Sequence, residues 1–441
     1  MLNPDSIVDL VRDKAGQKTV WLAFSGGVDS HVLLHLLASA SNQATFPLHA
    51  IHIDHGLQSN SSQWSEHCEQ VAKQLNIPFV SISVTVENID SIGLEAAARE
   101  ARYTALEQYL TENDLLLTAQ HQEDQAETLL LQLLRGAGPK GLSAMATEFQ
   151  LNNVDVFRPL IGQSQADILA YAHQHELNWI EDPSNADTRW SRNYLRHSVW
   201  PVISERWPSA ARTLSRSAEH CAEASELLDD LAKQDFDALT KMSSDNILPI
   251  DELLALSKAR RNNLLRFFIS LKQLPMPSST NLQRVVDEVC LAMTDSTPLV
   301  SWAGVEVRRY QNQLYFMKPL AEHDANKTIE INDFEDIQLS ENCIVHWQKS
   351  AIKGIDSSML GQDLTLRFRQ GGESIMPQGN QHHKSLKHLF QEWGVPPWLR
   401  SRVPLIFLKD ELVVVTEYCH SDFACANNDR QVYLPVIKMV D

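Results

Sequence analysis

Apolar and polar positions in the first part of the chain follow two alternating rhythms. Short apolar runs recur at residues 20–24, 48–54, 79–84 and 115–118. Between and after them come longer stretches with apolar residues three and four apart, at 31–40, 62–75, 94–109, 123–134 and 163–175. The short runs predict buried strands and the long ones helices. Strands that alternate with helices predict an α/β domain: a doubly wound parallel sheet with helices on both faces. Ligands of such sheets sit at the carboxyl ends of the strands. The turns that follow each strand are therefore the places to search for chemistry.

The rhythm changes further on. Residues 213–231, 250–256 and 258–271 read as helices, so a mainly helical domain is expected. Residues 298–318 alternate like a hairpin with its turn at Gln311 and Asn312. Residues 321–360 are mixed and acidic and read as a β-rich linker. A strand at 363–368, a helix at 386–393 and strands at 405–408 and 411–416 predict an α+β C-terminal domain. The expected boundaries are 1–212, 213–320, a linker at 321–360, and 361–441.

The first turn reads Ser25-Gly26-Gly27-Val28-Asp29-Ser30, between a strand and a helix start. Adjacent glycines let backbone N–H groups close on an anion, and the helix dipole favours negative charge there. A carboxylate at Asp29 would repel a bare phosphate; it makes sense if Mg²⁺ lies between them. The second strand ends in His52-Ile53-Asp54-His55-Gly56-Leu57, which suits the nucleoside end of such a site or a plain polar strand end. In the next helix Arg99 and Arg102 share a face; on spacing alone a solvated face is the plainer reading. After the fourth strand comes His121-Gln122-Glu123-Asp124-Gln125-Ala126-Glu127. Asp124 and Glu127 project together from the first helical turn, for Mg²⁺ binding and proton removal or for capping. Arg135 closes that helix. Asp187, Arg189, Arg192, Asn193 and Arg196 then mix acids with closely spaced arginines.

Charge and cysteine content narrow the choices. A formal net charge of -18 argues against nucleic-acid binding by overall field, so local arginines and lysines matter more than their sum. Lys258, Arg260, Arg261 and Arg266 form one basic stripe, and Arg367, Arg369, Lys384 and Lys387 lie in the last domain with several histidines and aromatics, a composition that suits RNA. The 6 cysteines are scattered without a C-x-x-C pair, which argues against zinc, iron–sulfur and disulfide frameworks. No apolar run reaches the ~18 residues of a membrane span and the N-terminus lacks an apolar signal core, so a soluble cytoplasmic protein is expected.

SGGVDS resembles the PP-loop of the N-type ATP pyrophosphatases. With HIDHGL, LEAAAREARY, HQEDQAET followed by LLRGAGPKGLSAM, RPL, EDPSN and a C-terminal VPPW-x-R, the chain resembles the tRNA(Ile)-lysidine synthetase family. Glu123 stands where that family commonly has a first aspartate. The resemblance implies ATP and Mg²⁺ as cofactors, and tRNA-Ile with a CAU anticodon and L-lysine as substrates. It leaves a homodimer open and implies no membrane. It implies ATP and pyrophosphate contacts at Ser25, Gly26, Gly27, Val28, Asp29, Ser30, His55, Gly56 and Arg135. Lysine or tRNA contacts fall on Arg99, Arg102, His121, Asp187, Arg192, Asn193 and Arg196. Asp29, Asp124 and Glu127 carry catalysis and metal. Two other readings stay open. One is a different PP-loop tRNA-modifying enzyme such as a thiolase, which would need cysteines where the first domain has only Cys68. The other is a non-catalytic tRNA-binding protein.

Overall fold

The computed structural model describes residues 2–39, 46–56, 61–87, 93–240, 247–293, 296–340, 343–350, 354–422 and 432–439. Leu57 and Cys425 lie outside them. The chain divides into two compact units, Met1–Leu231 and Ala232–Asp441.

The first unit runs α1 (Pro4–Ala15), β1 (Thr19–Ala23), α2 (Val28–Ser39), β2 (Leu48–Asp54), α3 (Ser61–Gln74), β3 (Phe79–Ser83), α4 (Leu94–Tyr109), β4 (Asp114–Leu117), α5 (Gln122–Leu134), β5 (Glu148–Leu151), β6 (Val154–Phe157) and α6 (Gln165–Gln174). Its six-stranded sheet has the order β3-β2-β1-β4-β6-β5. All pairings are parallel except β5 with β6, an edge hairpin that the sequence pattern does not predict. Successive side chains of β1 and β4 enter different cores. Val20, Leu22, Leu115 and Leu117 pack with α1 and α2. Trp21 and Leu116 pack on the other side with Leu106 and Leu110 from the α4 end. Burial on both faces is what a parallel sheet between helices requires. α2 is buried almost all round, through His31, Val32, Leu33, Leu34, Leu36 and Leu37, more than the single apolar face its sequence suggests. The chain steps outward from β1 to β3 and returns to β4 on the other side of β1. The loops after β1 and β4 thus flank the topological switch point.

In the second unit, β7 (Ile247–Pro249), β8 (Leu299–Trp302), β9 (Val305–Tyr310) and β10 (Gln313–Met317) form an antiparallel sheet of order β7-β10-β9-β8. It shares a core with the helix Lys258–Leu271 through Leu264, Leu265, Phe268 and Ile269. The expected hairpin at 298–318 is present as β9 and β10, and β7 and β8 extend it into a four-stranded sheet within the mainly helical segment. In the basic stripe, Arg260 is paired with Asp235.

Next come β11 (Ile329–Glu330), β12 (Ile337–Ser340), β13 (Cys343–Ser350), β14 (Ile355–Asp356), β15 (Leu364–Arg367), β16 (Ser374–Ile375), β17 (Lys384–Ser385), β18 (Leu405–Leu408), β19 (Glu411–Val415), β20 (Cys419–His420) and β21 (Val432–Met439). β11 pairs with β15, and β13 pairs with β21 from Cys343 opposite Met439 to Ser350 opposite Val432. The segment expected to be a β-rich linker is β-rich, and its described strands β11–β14 pair within the C-terminal sheets. Ile331, Val345, Trp347 and Ile355 bury their apolar surface there. The polar residues between them diluted that pattern in the sequence. Among the described residues, no helix is long and apolar enough to cross a membrane.

Candidate active site

β1 delivers the chain to the Gly-rich turn. Gly26 takes φ +81°, where only glycine is unstrained. A Cβ there would also meet Cys68 Sγ at 3.0 Å and Ile180 Cδ1 at 3.1 Å. The turn is braced by its serines: Ser30 Oγ lies 3.1 Å from Ser25 Oγ and donates to Gly27 O at 3.1 Å, while Ser25 N donates to Ser30 Oγ at 3.3 Å. Val28 and Asp29 start α2, so the turn presents backbone N–H groups at a helix N-terminus.

β4 delivers His121 and α5. His121 is 1% exposed and the Asp124 carboxylate caps its backbone N–H at 3.1 Å. Its ring sits between acids. Nδ1 is 3.1 Å from Glu123 Oε2, and Nε2 is 3.4 Å from Asp124 Oδ2 and 3.8 Å from Asp29 Oδ1. Burial opposes the imidazolium, but the Glu123 hydrogen bond, Asp124 and Asp29 outweigh it, and the His121 pKa is raised. Glu123 Oε2 also accepts from Gln165 N at 2.8 Å, tying the start of α6 to this ring.

Asp124 and Glu127 meet two arginines from the helical stretch that begins at Ser191. Arg192 donates from Nε to Glu127 Oε2 at 3.0 Å and from Nη2 to Asp124 Oδ1 at 3.1 Å. Arg196 donates from Nε to Glu127 Oε1 at 2.7 Å, and from Nη2 to Glu127 Oε2 at 2.8 Å and Asp124 Oδ1 at 3.0 Å. Burial pushes the Asp124 carboxyl up, but His121, Arg192 and Arg196 outweigh it and the pKa is lowered. Asp29 is different. Burial raises its pKa, and the Asp124 charge adds to this.

Ser25, Asp29, Ser30, Asp124 and Arg192 border a cavity of about 720 Å³, lined also by His55, Gly56, Arg99, Arg102 and Asp187, whereas Gly26, Gly27, Val28, His121, Glu127 and Arg196 are outside its lining. The volume is ample for a nucleotide-sized ligand. Arg102 donates to His55 Nε2 at 3.4 Å. Asp187 holds Arg189 with bonds of 2.7–3.1 Å, which brings its carboxyl down to about 2. Asn193 Nδ2 donates to Ser184 O at 2.8 Å and Asp187 O at 3.0 Å, so it shapes the loop and is not part of the cavity lining. Arg135 is exposed and outside the lining. Eleven residues of helical rise carry it ~16 Å along α5 from Asp124. The expected phosphate contact at Arg135 therefore has no support within this unit.

The sequence reading gave no role to Arg158, Trp64 or Trp190. Trp64 and Trp190 line the cavity. Arg158 is 3% exposed, stacks 4.6 Å over Phe149 and donates to Gln120 Oε1 at 3.1 Å, so it holds one residue of the cavity lining in place. The one signal for Arg158 was its place in the RPL motif, which carried no role of its own.

Fit to Mg²⁺ divides the expected carboxylates. Among the described residues, no group of three His, Cys, Asp or Glu side chains forms a metal cage. Mg²⁺ bound with phosphates needs only one or two carboxylates. Asp29 Oδ1 is buried and accepts no hydrogen bond, so it fits. Glu127 does not, because guanidiniums take both its oxygens. Cys68 is fully buried and burial pushes its thiol up to about 12, which suits packing behind Gly26 and not sulfur chemistry.

The sheet order and the loop at its switch point define a PP-loop protein, and the family model described as the PP-loop domain matches residues 4–203. Two more models match, the TilS substrate binding domain at 248–315 and the TilS substrate C-terminal domain at 364–436. The chain is 40% identical to a tRNA(Ile)-lysidine synthase of Coxiella burnetii, over 95% of this chain and 93% of that protein. It is 40% identical to that of Legionella pneumophila strain Paris, over 94% and 95%, and 39% identical to that of Pectobacterium atrosepticum, over 92% and 91%. The chain belongs to the tRNA(Ile)-lysidine synthase family.

Proposed function

We propose that this chain ligates L-lysine to C2 of the wobble cytidine of CAU-anticodon tRNA-Ile in the cytoplasm, consuming ATP and releasing AMP and pyrophosphate. The observation that carries this reading is near full-length similarity to relatives of that name, in a chain where Ser25, Asp29 and Ser30 of the glycine turn border one cavity with Asp124.

Cytosine O2 attacks the α-phosphorus of ATP and pyrophosphate leaves. The lysine ε-amine then attacks C2, and AMP departs with the former O2. The Ser25–Ser30 turn receives the pyrophosphate on its backbone N–H groups. Asp29 would hold Mg²⁺, which when bound neutralises charge on the phosphates. The ε-ammonium, with a pKa of ~10.4, must lose a proton before it attacks. Asp124 and Glu127 are the carboxylates this reading keeps as acceptors, and both are held by Arg192 and Arg196. Arg99 and Arg102 on the cavity wall suit the anionic substrate. The target base is splayed from a single-stranded loop at modest cost.

Labelled lysine offered with ATP, Mg²⁺ and unmodified CAU tRNA-Ile tests the reading, with tRNA-Met as control. Label on tRNA-Ile alone, with AMP and pyrophosphate released, is expected. Pyrophosphate release without label would keep the adenylation step and remove lysine as nucleophile.

A further inference from the structure

The VPPWLRSR run at 395–402 has no role in the chemistry above. Val305, Val307, Leu314 and Phe316 point into the core of the β7–β10 sheet. Strand alternation puts Glu306, Arg308, Tyr310 and Tyr315 on the opposite face, where Tyr315 stands across from Arg308. This outward face is met by Trp398, from the helical turn Pro397–Arg400. The indole lies edge-to-face with Tyr315 at 5.4 Å and with Tyr310 at 6.4 Å. The Arg308 guanidinium stacks 5.5 Å from it and is oriented by Glu306 at 2.8–3.0 Å. Arg400 donates to Tyr310 Oη at 3.2 Å and to Val395 O at 2.8 Å. Alongside, His323 Nε2 donates to Ser401 O at 2.7 Å and Arg402 donates to Ala321 O.

Such aromatic and cation–π contacts depend on orientation, so they set an angle as well as a distance. Neither hydrophobic core beside the junction needs them. The core of the β7–β10 sheet contains neither Tyr310 nor Tyr315, and the core around Phe390 contains Leu399 but not Trp398. The junction joins two finished cores and does not complete either.

We propose that Trp398 and Arg400 are positioning residues. They lock the 364–436 segment onto the β9–β10 hairpin, so that the two segments meet tRNA at one fixed spacing. The proposal rests on the lysidine-forming reading for its substrate. Without the lock, tRNA itself must order the two segments. That cost falls on tRNA affinity and leaves the chemical step and ATP binding untouched.

A double-mutant cycle on the full chain tests this, using Trp398→Ala, Tyr315→Ala and the pair. It is read in KM for tRNA-Ile and, independently of catalysis, in filter-binding Kd for the same tRNA. Each single change is expected to raise both by about tenfold with kcat and the ATP KM unchanged, and the pair to be no worse than one change. Trp398→Phe retains most of the affinity, and Tyr310→Phe, which removes only the hydroxyl, costs about threefold. Additive losses would mean that each ring touches RNA separately and would overturn the lock. Unchanged tRNA affinity, or a fall in kcat, would overturn it too. Failure of the unmutated chain to ligate lysine would refute the proposed reaction, while the Kd cycle would still decide the lock.

Discussion

Arg196 grips Glu127 from 69 residues away with two parallel hydrogen bonds, Nε to Oε1 at 2.7 Å and Nη2 to Oε2 at 2.8 Å. Glu127 is 1% exposed, so neutralising it leaves Arg192 and Arg196 facing each other with one carboxylate fewer. Glu127→Gln is expected to destabilise the first unit by about 3 kcal/mol. Urea unfolding followed by tryptophan fluorescence measures this; an unshifted midpoint would mean that the network adds no stability.

Glu123 reaches both His121 and the backbone of Gln165. Aspartate, one methylene shorter, cannot span both at these distances. Glu123→Asp is expected to lower kcat for lysine incorporation by about tenfold, the worth of one charge-assisted bond, with tRNA affinity unchanged. A lost tRNA affinity with normal kcat would contradict the positioning of His121.

Gly26→Ala meets two obstacles, the positive φ and the contacts with Cys68 and Ile180. ATP-dependent pyrophosphate release should drop at least about tenfold, since the backbone N–H groups must turn away. Adding Cys68→Ala removes one contact but not the φ strain, so the double variant should recover only in part. Full recovery would show that packing alone required the glycine.

His55 is held down to about 4 by burial, with the Arg102 and His52 charges adding to the effect. An unfolded histidine titrates near 6.5. Because the folded value is the lower one, the unfolded chain binds more protons between those two pH values. The stability from neutral His55 is therefore complete above pH 6.5, declines as pH falls and levels off below about 4. His55→Gln keeps an oxygen for Arg102 and cannot titrate there. Its denaturant midpoint should fall less than the parent's between pH 6.5 and 4, and parallel curves would disprove the assignment.

Elements that bury a continuous apolar face were legible in the sequence. Leu48–Asp54, Leu94–Tyr109, Lys258–Leu271 and Leu405–Leu408 begin and end where the apolar pattern places them. Glu148–Leu151 was not, because an edge strand of four residues with alternating exposure has too little apolar content to register. Ile247–Pro249 was hidden by its helical neighbours and its proline. In the site, contiguous groups such as Ser25–Ser30 and His121–Glu127 could be read directly. Their partners could not: nothing in local spacing tells that Arg192 reaches Asp124 across 68 residues, or that Glu123 bonds the backbone of Gln165. Nor does local spacing tell that Arg135, at the far end of α5, stands outside the cavity lining.

The pairing of Cys343–Ser350 with Val432–Met439 sets a schedule for synthesis. At 5–20 residues per second, the ribosome needs roughly 4–16 s to add the intervening stretch. Throughout that interval the earlier strand has its N–H and C=O groups open along one edge. A nascent chain in this state is a substrate for a holding chaperone, and it is prone to capture by a second chain making the same strand. Slow codons between the two strands would lengthen the exposure. Expression yield should therefore respond to translation speed in this stretch more than to speed within the first unit.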